Sequence, residues 1–188
     1  EGTQLVLENA VDGTTTALKV IEHAHHEVHS GSSFSTGAYD LDLDDGETLT
    51  VAFTTNSGAK WLHMVGILKS SSAGLAEILE GPTITADSGT EQLVINRNRN
   101  KTGNTSGALS IETSPVANTV SINPTITADG DVIFAEGIGV GKEKGASEAR
   151  ALSEIVLAAD TTYAFRITGS ADNGNASVRL VWYEHTDV

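Results

Sequence analysis

Residues Tyr39-Asp40-Leu41-Asp42-Leu43-Asp44-Asp45-Gly46 decide the fold class, because apolar and acidic residues alternate up to a turn dipeptide. Successive side chains of an extended chain point to opposite faces, so Leu41 and Leu43 are predicted to face a core. The next run, Glu47-Thr48-Leu49-Thr50-Val51-Ala52-Phe53-Thr54, alternates as well. Because Asp-Gly between two alternating runs favours a β-hairpin, these residues predict antiparallel β-structure.

Runs further along the chain have the same character. Residues 60–68 form the most apolar run and predict a central strand. Residues 161–168 and 176–184 predict a second hairpin, because Asn173-Gly174 lies between them. Residues 146–155 contain enough helix formers to predict one short helix. About eight to ten short strands without long helices favour an all-β fold, either an antiparallel β-sandwich or a jelly roll.

One hexapeptide occurs twice. Pro82-Thr83-Ile84-Thr85-Ala86-Asp87 recurs letter for letter as Pro124-Thr125-Ile126-Thr127-Ala128-Asp129. Two copies are too few for a solenoid, and a proline at the start of a strand is typical of a sheet edge. We therefore expect the copies to form equivalent corners of two adjacent hairpins.

The chain is predicted to divide near residue 20. Residues 1–20 mix a short apolar run with a turn signal, which indicates an N-terminal arm that orders only against a neighbour. Residues 21–188 are predicted to form the sandwich domain. Four of the six histidines lie at this junction, within residues 23–29.

The histidine-rich junction is the strongest candidate for chemistry. If it is a strand, His23, His25, Glu27 and His29 share one face. Imidazoles at alternate strand positions can bind zinc or nickel, with the glutamate as a further ligand. The alternative is a structural or interface role in which His25 and His29 contact a partner and respond to mild acid. His63, within the apolar run, is predicted to be a satisfied core histidine.

Composition excludes several function classes. The chain has 25 acidic and 11 basic residues, a formal charge of −14, and no cysteine. Binding to a phosphate backbone requires clustered Lys and Arg, so nucleic acid is not an expected partner. The lack of cysteine removes disulfides and thiolate chemistry. No apolar run approaches the roughly 20 residues that span a bilayer, so no membrane partner is expected.

The sequence does not match the phosphate-binding or nucleophile motifs that it was compared with, because residues that these motifs require are missing at the required positions. Residues 137–142 are glycine-rich like a phosphate-binding loop, but Glu136 and Glu143 occupy the positions that need glycine and a hydroxyl residue. No Gly-x-Ser-x-Gly nucleophile motif occurs. We therefore expect no catalytic residues, no cofactor and no enzymatic activity.

A basic loop is the second candidate for binding. Arg97, Arg99 and Lys101 alternate with asparagines in a polar, turn-prone stretch, which predicts an exposed loop. On an acidic protein such a loop can dock an acidic partner protein. The alternative is a solvated loop without a partner.

Four segments together resemble a family. Over residues 20–184 the chain is similar to the capsid decoration, or cement, proteins of tailed bacteriophages. The segments are Ala24-His25-His26-Glu27-Val28-His29-Ser30-Gly31-Ser32-Ser33-Phe34, Leu79-Glu80-Gly81-Pro82-Thr83, Asn96-Arg97-Asn98-Arg99-Asn100 and Val181-Trp182-Tyr183-Glu184. The resemblance implies a β-sandwich or jelly roll on the outer surface of the virion head, a homotrimer, and the major capsid protein as partner.

Two alternatives come from other classes. The first is a head-fibre or tail adhesin that binds host surface glycans, which would need exposed aromatic side chains, whereas Trp61 and Trp182 both lie in strand-like runs. The second is a metal-dependent enzyme built on the histidine row.

Overall fold

The computed structural model describes residues 23–58, 60–107, 109, 119–139, 147–150 and 154–186. The predicted N-terminal arm, residues 1–20, lies outside the described residues. The elements in chain order are α1 (His23–Ser30), β1 (Ser33–Leu43), β2 (Thr48–Thr54), β3 (Lys60–Ser70), β4 (Gly74–Glu80), β5 (Thr83–Ile84), β6 (Thr90–Leu93), β7 (Ile95–Asn96), β8 (Thr119–Ile122), β9 (Ile126–Ala128), β10 (Asp131–Ile138), β11 (Ser147–Arg150), β12 (Ile155–Leu157), β13 (Thr162–Gly169) and β14 (Gly174–Thr186).

Two antiparallel sheets pack against each other. Sheet I has the order β11-β3-β14-β1-β7, and β12 pairs with β3 beside β11. Sheet II has the order β10-β4-β13-β2-β8-β6. The prediction of an all-β antiparallel sandwich is confirmed, and so is the central position of the apolar run, since β3 lies between β14 and the pair β11 and β12.

The core lies between the two sheets. Alternation along each strand turns every second side chain inward, as in β3, where Leu62, Met64 and Leu68 are buried. The largest fully buried side chains include Trp182, Tyr163, Phe34, Phe53 and Phe165. Phe34 and Trp182 are cross-strand partners in sheet I, with ring centroids 5.9 Å apart.

Both predicted hairpins are wrong. The Asp45-Gly46 turn carries the chain from β1 in sheet I to β2 in sheet II, and Asn173-Gly174 joins β13 in sheet II to β14 in sheet I. Gly46 and Asn173 have φ values of 79° and 59°, so the turn chemistry was identified correctly. A tight turn can nevertheless cross the core, because both flanking strands then bury an apolar face against each other.

Leu41 is a further correction. Leu43 is buried as predicted, but Leu41 is 69% exposed. The pairing of β1 with β14 shifts between Asp40 and Leu43, where β1 contains one residue more than β14. Such a bulge changes which side chains face the core, and here it puts Leu43 inside and leaves Leu41 outside.

The predicted helix over residues 146–155 is also wrong where the structure describes it. Ser147–Arg150 form β11 and Ile155–Leu157 form β12, and both pair with β3. Without them the long strand β3 would present unpaired backbone groups along one side. Backbone pairing to that strand overrides the helix propensity of this segment.

The two repeat copies pair with each other instead of forming corners of separate hairpins. Ile84 of β5 lies opposite Ile126 of β9, and we call this two-stranded sheet the repeat ribbon. Both isoleucines pack on Ala52, Leu79 and Ala164, which are fully buried on the outer face of sheet II. The identical sequences thus act together to cover that face.

An ion-pair bridge ties the ribbon to sheet II. Arg166 of β13 donates from Nη1 and Nη2 to the two Asp129 carboxylate oxygens at 2.8 and 3.0 Å. It also donates from Nε and Nη2 to Glu77 Oε2 at 3.1 and 2.9 Å. The hydrogen bonds from Arg166 hold the pKa of Asp129 below its usual value, although partial burial opposes this shift.

Candidate functional site

The histidine-rich junction is a helix and not a strand. Helix α1 ends at Ser30, and the next residue, Gly31, has a φ of 82°. The Gly31 amide donates to the Val28 carbonyl at 3.2 Å and the Ser32 amide donates to the Glu27 carbonyl at 3.0 Å. This pair of bonds is the Schellman motif, in which a left-handed glycine ends the helix. A glycine directly after the histidines was the sequence signal for this helix end.

The helix breaks up the predicted four-residue row. His25 and His29 are one turn apart and stack, with Nε2 atoms 2.8 Å apart and rings inclined by 12°. Glu27 is instead buried, accepts a hydrogen bond from Ser30 Oγ at 3.2 Å and lies 3.1 Å from His26 Nδ1. For His23 the structure describes only its place at the start of α1.

The strand geometry predicted for the metal site is therefore wrong, while metal binding itself stays a prediction, because the side chain of His23 lies outside the described part of the chain. Among the side chains that the structure describes, no three His, Asp or Glu residues converge so that they could hold a metal ion. The Nε2 contact between His25 and His29 needs one hydrogen, which one ring donates and the other accepts. His25 and His29 therefore form a hydrogen-bonded pair on one side of the helix.

The basic loop docks on the end of α1. The last carbonyl groups of a helix have no partner within the helix, and side-chain donors of residues 96–104 reach them here. The bonds run from Asn98 Nδ2 to His29 O at 3.0 Å, from Lys101 Nζ to Ser30 O at 2.9 Å and from Asn96 Nδ2 to Gly31 O at 2.8 Å. The structure thus brings together the two groups that the sequence predicted separately. That either group binds a partner stays a prediction.

A hollow opens beside this junction. It has a volume of about 360 Å³ and is lined by Ala24, His25, Val28 and Arg97. The Arg97 guanidinium also donates to Ser33 Oγ at 3.1 Å, which fixes its position at the start of β1. The combination of apolar side chains with a cation at the rim suits an apolar side chain with acidic neighbours.

Four cations on this side of the molecule have no ion pair among the described residues. Arg97, Arg99, Lys101 and Arg179 are exposed, and no described carboxylate lies within 4 Å of any of them. The first three belong to the basic loop. Arg179 lies on the outer face of sheet I, opposite Ile67 of β3 and Gly37 of β1.

A second polar cluster lies on the outer face of sheet I. His63 Nδ1 is 2.6 Å from Glu154 Oε1, and its Nε2 is 2.7 Å from His185 Nε2. Tyr183 donates to the same Glu154 oxygen at 2.8 Å, and its ring stacks on His63 with centroids 4.7 Å apart. His63 is satisfied by hydrogen bonds, as predicted, but it faces outward and not into the core.

Tyr183 is the group of this cluster whose pKa is shifted. Burial raises its pKa to about 12, and the hydrogen bond and negative charge of Glu154 act in the same direction, as does the charge of Glu27. The phenol therefore keeps its proton and remains a donor to Glu154 throughout the ordinary pH range. The cluster of Tyr183, His185 and Glu154 was not predictable from sequence, because no local signal sets the register that aligns β3, β12 and β14.

The described chain contains no helix with the length and apolar character to cross a membrane. The chain matches no protein-family model and no curated protein sequence.

Proposed function

We propose that this chain is a structural virion protein, a capsid decoration or cement protein on the outer surface of a tailed-bacteriophage head. The observation that carries the proposal is the outer face of sheet I, with its basic loop. It presents four cations without a described carboxylate partner on a protein of formal charge −14. Such a surface suits docking to another protein, because unpaired charges steer and orient association.

The chain path supports the finer assignment of a jelly roll. Strands β1 to β4 alternate between sheet I and sheet II. The later strands alternate as well, from β10 in sheet II to β11 and β12 in sheet I, then β13 in sheet II and β14 in sheet I. The resulting four-strand orders are β11-β3-β14-β1 and β10-β4-β13-β2. Two such sheets are what an eight-stranded jelly roll contains, an architecture common in viral capsid and lectin domains.

A cement role needs no catalytic chemistry. A protein that binds only the assembled lattice of the major capsid protein stabilises that lattice by mass action. The acidic balance favours the outer surface of the head, because packaged DNA repels a protein of this charge. We propose that the chain acts as a homotrimer there.

The test compares capsids with and without the protein. Decorated heads should release their DNA at a higher temperature than bare heads, and purified protein added back should restore the difference. The variant R97Q/R99Q should fail to rebind. The control T90E/Q92E lowers the net charge by the same two units on β6, the exposed edge of sheet II, and should rebind normally. Equal release temperatures for bare and decorated heads would contradict the proposal.

A second candidate, a glycan-binding adhesin, is favoured by Trp61. Although Trp61 belongs to a strand, it lies on the outer face of sheet I and is 44% exposed, beside a hollow of about 360 Å³. Trp182, by contrast, is buried. An exposed indole can stack on a sugar ring. If the adhesin proposal is right, a glycan array gives specific hits that Trp61→Ala removes.

A further inference from the structure

The two ends of β1 differ in chemistry. The strand runs for 11 residues from Ser33 to Leu43, which is about 33 Å at the usual rise per residue. At its start lie α1 and the basic loop, which we call the head. At its end lie the bulge and the turn into β2, which we call the tail. Surfaces this far apart on one rigid strand cannot meet within one copy.

The tail is acidic with an apolar tip. Tyr39 and Leu41 are 74% and 69% exposed and lie on the outer side of β1, before the bulge brings Leu43 inward. Tyr39 also lines a hollow with Lys69 and Arg179, so Leu41 is the apolar side chain nearer the acidic turns. Six carboxylates belong to the segments at this end, and no described cation forms an ion pair with any of them. They are Asp40, Asp42, Asp44, Asp45, Glu47 and Asp172. The two turns are held together at this end, since the Asp45 amide donates to Asp172 Oδ1 at 3.3 Å and the Asn173 amide to Asp44 Oδ1 at 3.0 Å.

The head has the complementary properties. Its hollow is lined by Ala24, Val28 and His25 and is closed on one side by Arg97. Arg99 and Lys101 belong to the same loop as Arg97, and both are exposed. The head thus offers an apolar recess beside a basic loop, whereas the tail offers an apolar side chain beside acidic turns.

We propose that copies of this chain associate head to tail, with Leu41 of one copy in the hollow beside α1 of the next. The acidic turns of the first copy then face Arg97, Arg99 and Lys101 of the second. A second copy is the favoured occupant, because the chain itself supplies both the apolar side chain and the opposite charge that the head lacks. Because this contact joins two different surfaces, each copy can bind a further copy. The row of copies closes into a ring when the rotation between neighbouring copies allows it.

This contact deepens the proposed homotrimer, since it names the surfaces that hold the copies together. It is tested on the free protein, whereas the decoration role is tested on capsids, so the two proposals can fail separately. The measurement is mass by light scattering and sedimentation across a concentration series, at low salt and at about 1 M salt, where charges are screened within about 3 Å.

The wild-type chain should associate at low salt and weaken at high salt. Leu41→Ala should raise the dissociation constant about tenfold or more, since it removes the apolar side chain. The matched control Leu93→Ala alters a leucine of similar exposure, 53%, on the β6 edge of sheet II and should leave association unchanged. Circular dichroism confirms that each variant is folded.

A charge swap gives the sharpest readout. R97E/R99E gives a copy with two acidic ends. D42K/D45K/E47K/D172K leaves two carboxylates against four lysines at the tail and gives a copy with two basic ends, so each variant alone should be monomeric. Mixed in equal amounts they should associate again as alternating, even-numbered species, because alternation cannot close an odd-numbered ring. A mixture that stays monomeric would overturn the proposal, and so would equal effects of Leu41→Ala and Leu93→Ala. If the wild-type chain is monomeric at all concentrations but R97Q/R99Q abolishes capsid rebinding, the head binds the lattice and not a second copy.

Discussion

The outer faces of the two sheets consist of similar strands, but they differ in how far the rest of the chain covers their apolar and charged side chains. On sheet II the repeat ribbon covers Leu79 and Ala164 completely, and Arg166 is bridged to two carboxylates. On sheet I Leu41 is exposed, and Arg179 has no described carboxylate within 4 Å. The part of sheet II beneath the ribbon is therefore completed within the chain, whereas Leu75 at the side of that sheet stays 38% exposed. The outer face of sheet I offers the same types of side chain to something outside the chain.

Matched leucine substitutions give the largest contrast between the faces. Leu79→Ala should lower the free energy of unfolding by about 3 kcal/mol, because it leaves a cavity beneath the ribbon. Leu41→Ala should change it by less than about 0.5 kcal/mol, since that side chain is exposed in the free protein. Urea unfolding at a protein concentration where the chain is monomeric measures both. Similar losses from the two variants would mean that the faces do not differ as described.

Matched arginine substitutions come next in size. Arg166→Met removes the bridge and leaves the buried Glu77 without its partner. The loss should be about 2 kcal/mol, below the range for fully buried pairs, because the Arg166 side chain keeps 16% of its exposure and Asp129 keeps 51%. Arg179→Met should leave unfolding almost unchanged. A destabilised Arg179→Met would show that this residue has a structural partner.

The contrast also explains what was predictable from sequence. Alternation in Tyr39–Thr54 was sufficient for the fold class, because a buried face repeats every second residue in any sandwich. The partner of each strand was not predictable, since a turn such as Asp45-Gly46 suits both a hairpin and a crossing between sheets. The repeat showed that two segments were equivalent, but not that Ile84 and Ile126 lie opposite each other.

The candidate site was predictable in its parts and not in its assembly. His25, His29 and the basic loop were identified, because their composition is unusual. Their contact was not predictable, since 69 residues separate Asn98 from the His29 carbonyl that it caps. That Leu41 and Leu43 face opposite ways depends on one extra residue in the pairing of β1 with β14, and such a bulge has no reliable local signal.

The smallest expected effect is on the acid dependence of the unfolding free energy, which should differ between the two faces. The folded pKa of Asp129 lies below its unfolded value because Arg166 donates hydrogen bonds to the carboxylate. Its contribution to stability is therefore complete above the unfolded pKa near 4 and is lost as the pH falls through the folded value. Asp129→Asn should remove part of the acid sensitivity of unfolding below about pH 4 and cost at most about 1 kcal/mol near neutrality, since half-exposed ion pairs contribute little.

Two control variants test the source of this effect. Asp131→Asn alters an exposed carboxylate without a described cation partner and should leave the dependence of the unfolding free energy on acid pH unchanged. On sheet I Arg179 has no described carboxylate within 4 Å, so Arg179→Met should leave the acid dependence of unfolding unchanged. If Arg179→Met alters it as far as Asp129→Asn does, the difference between the covered part of sheet II and the open face of sheet I fails.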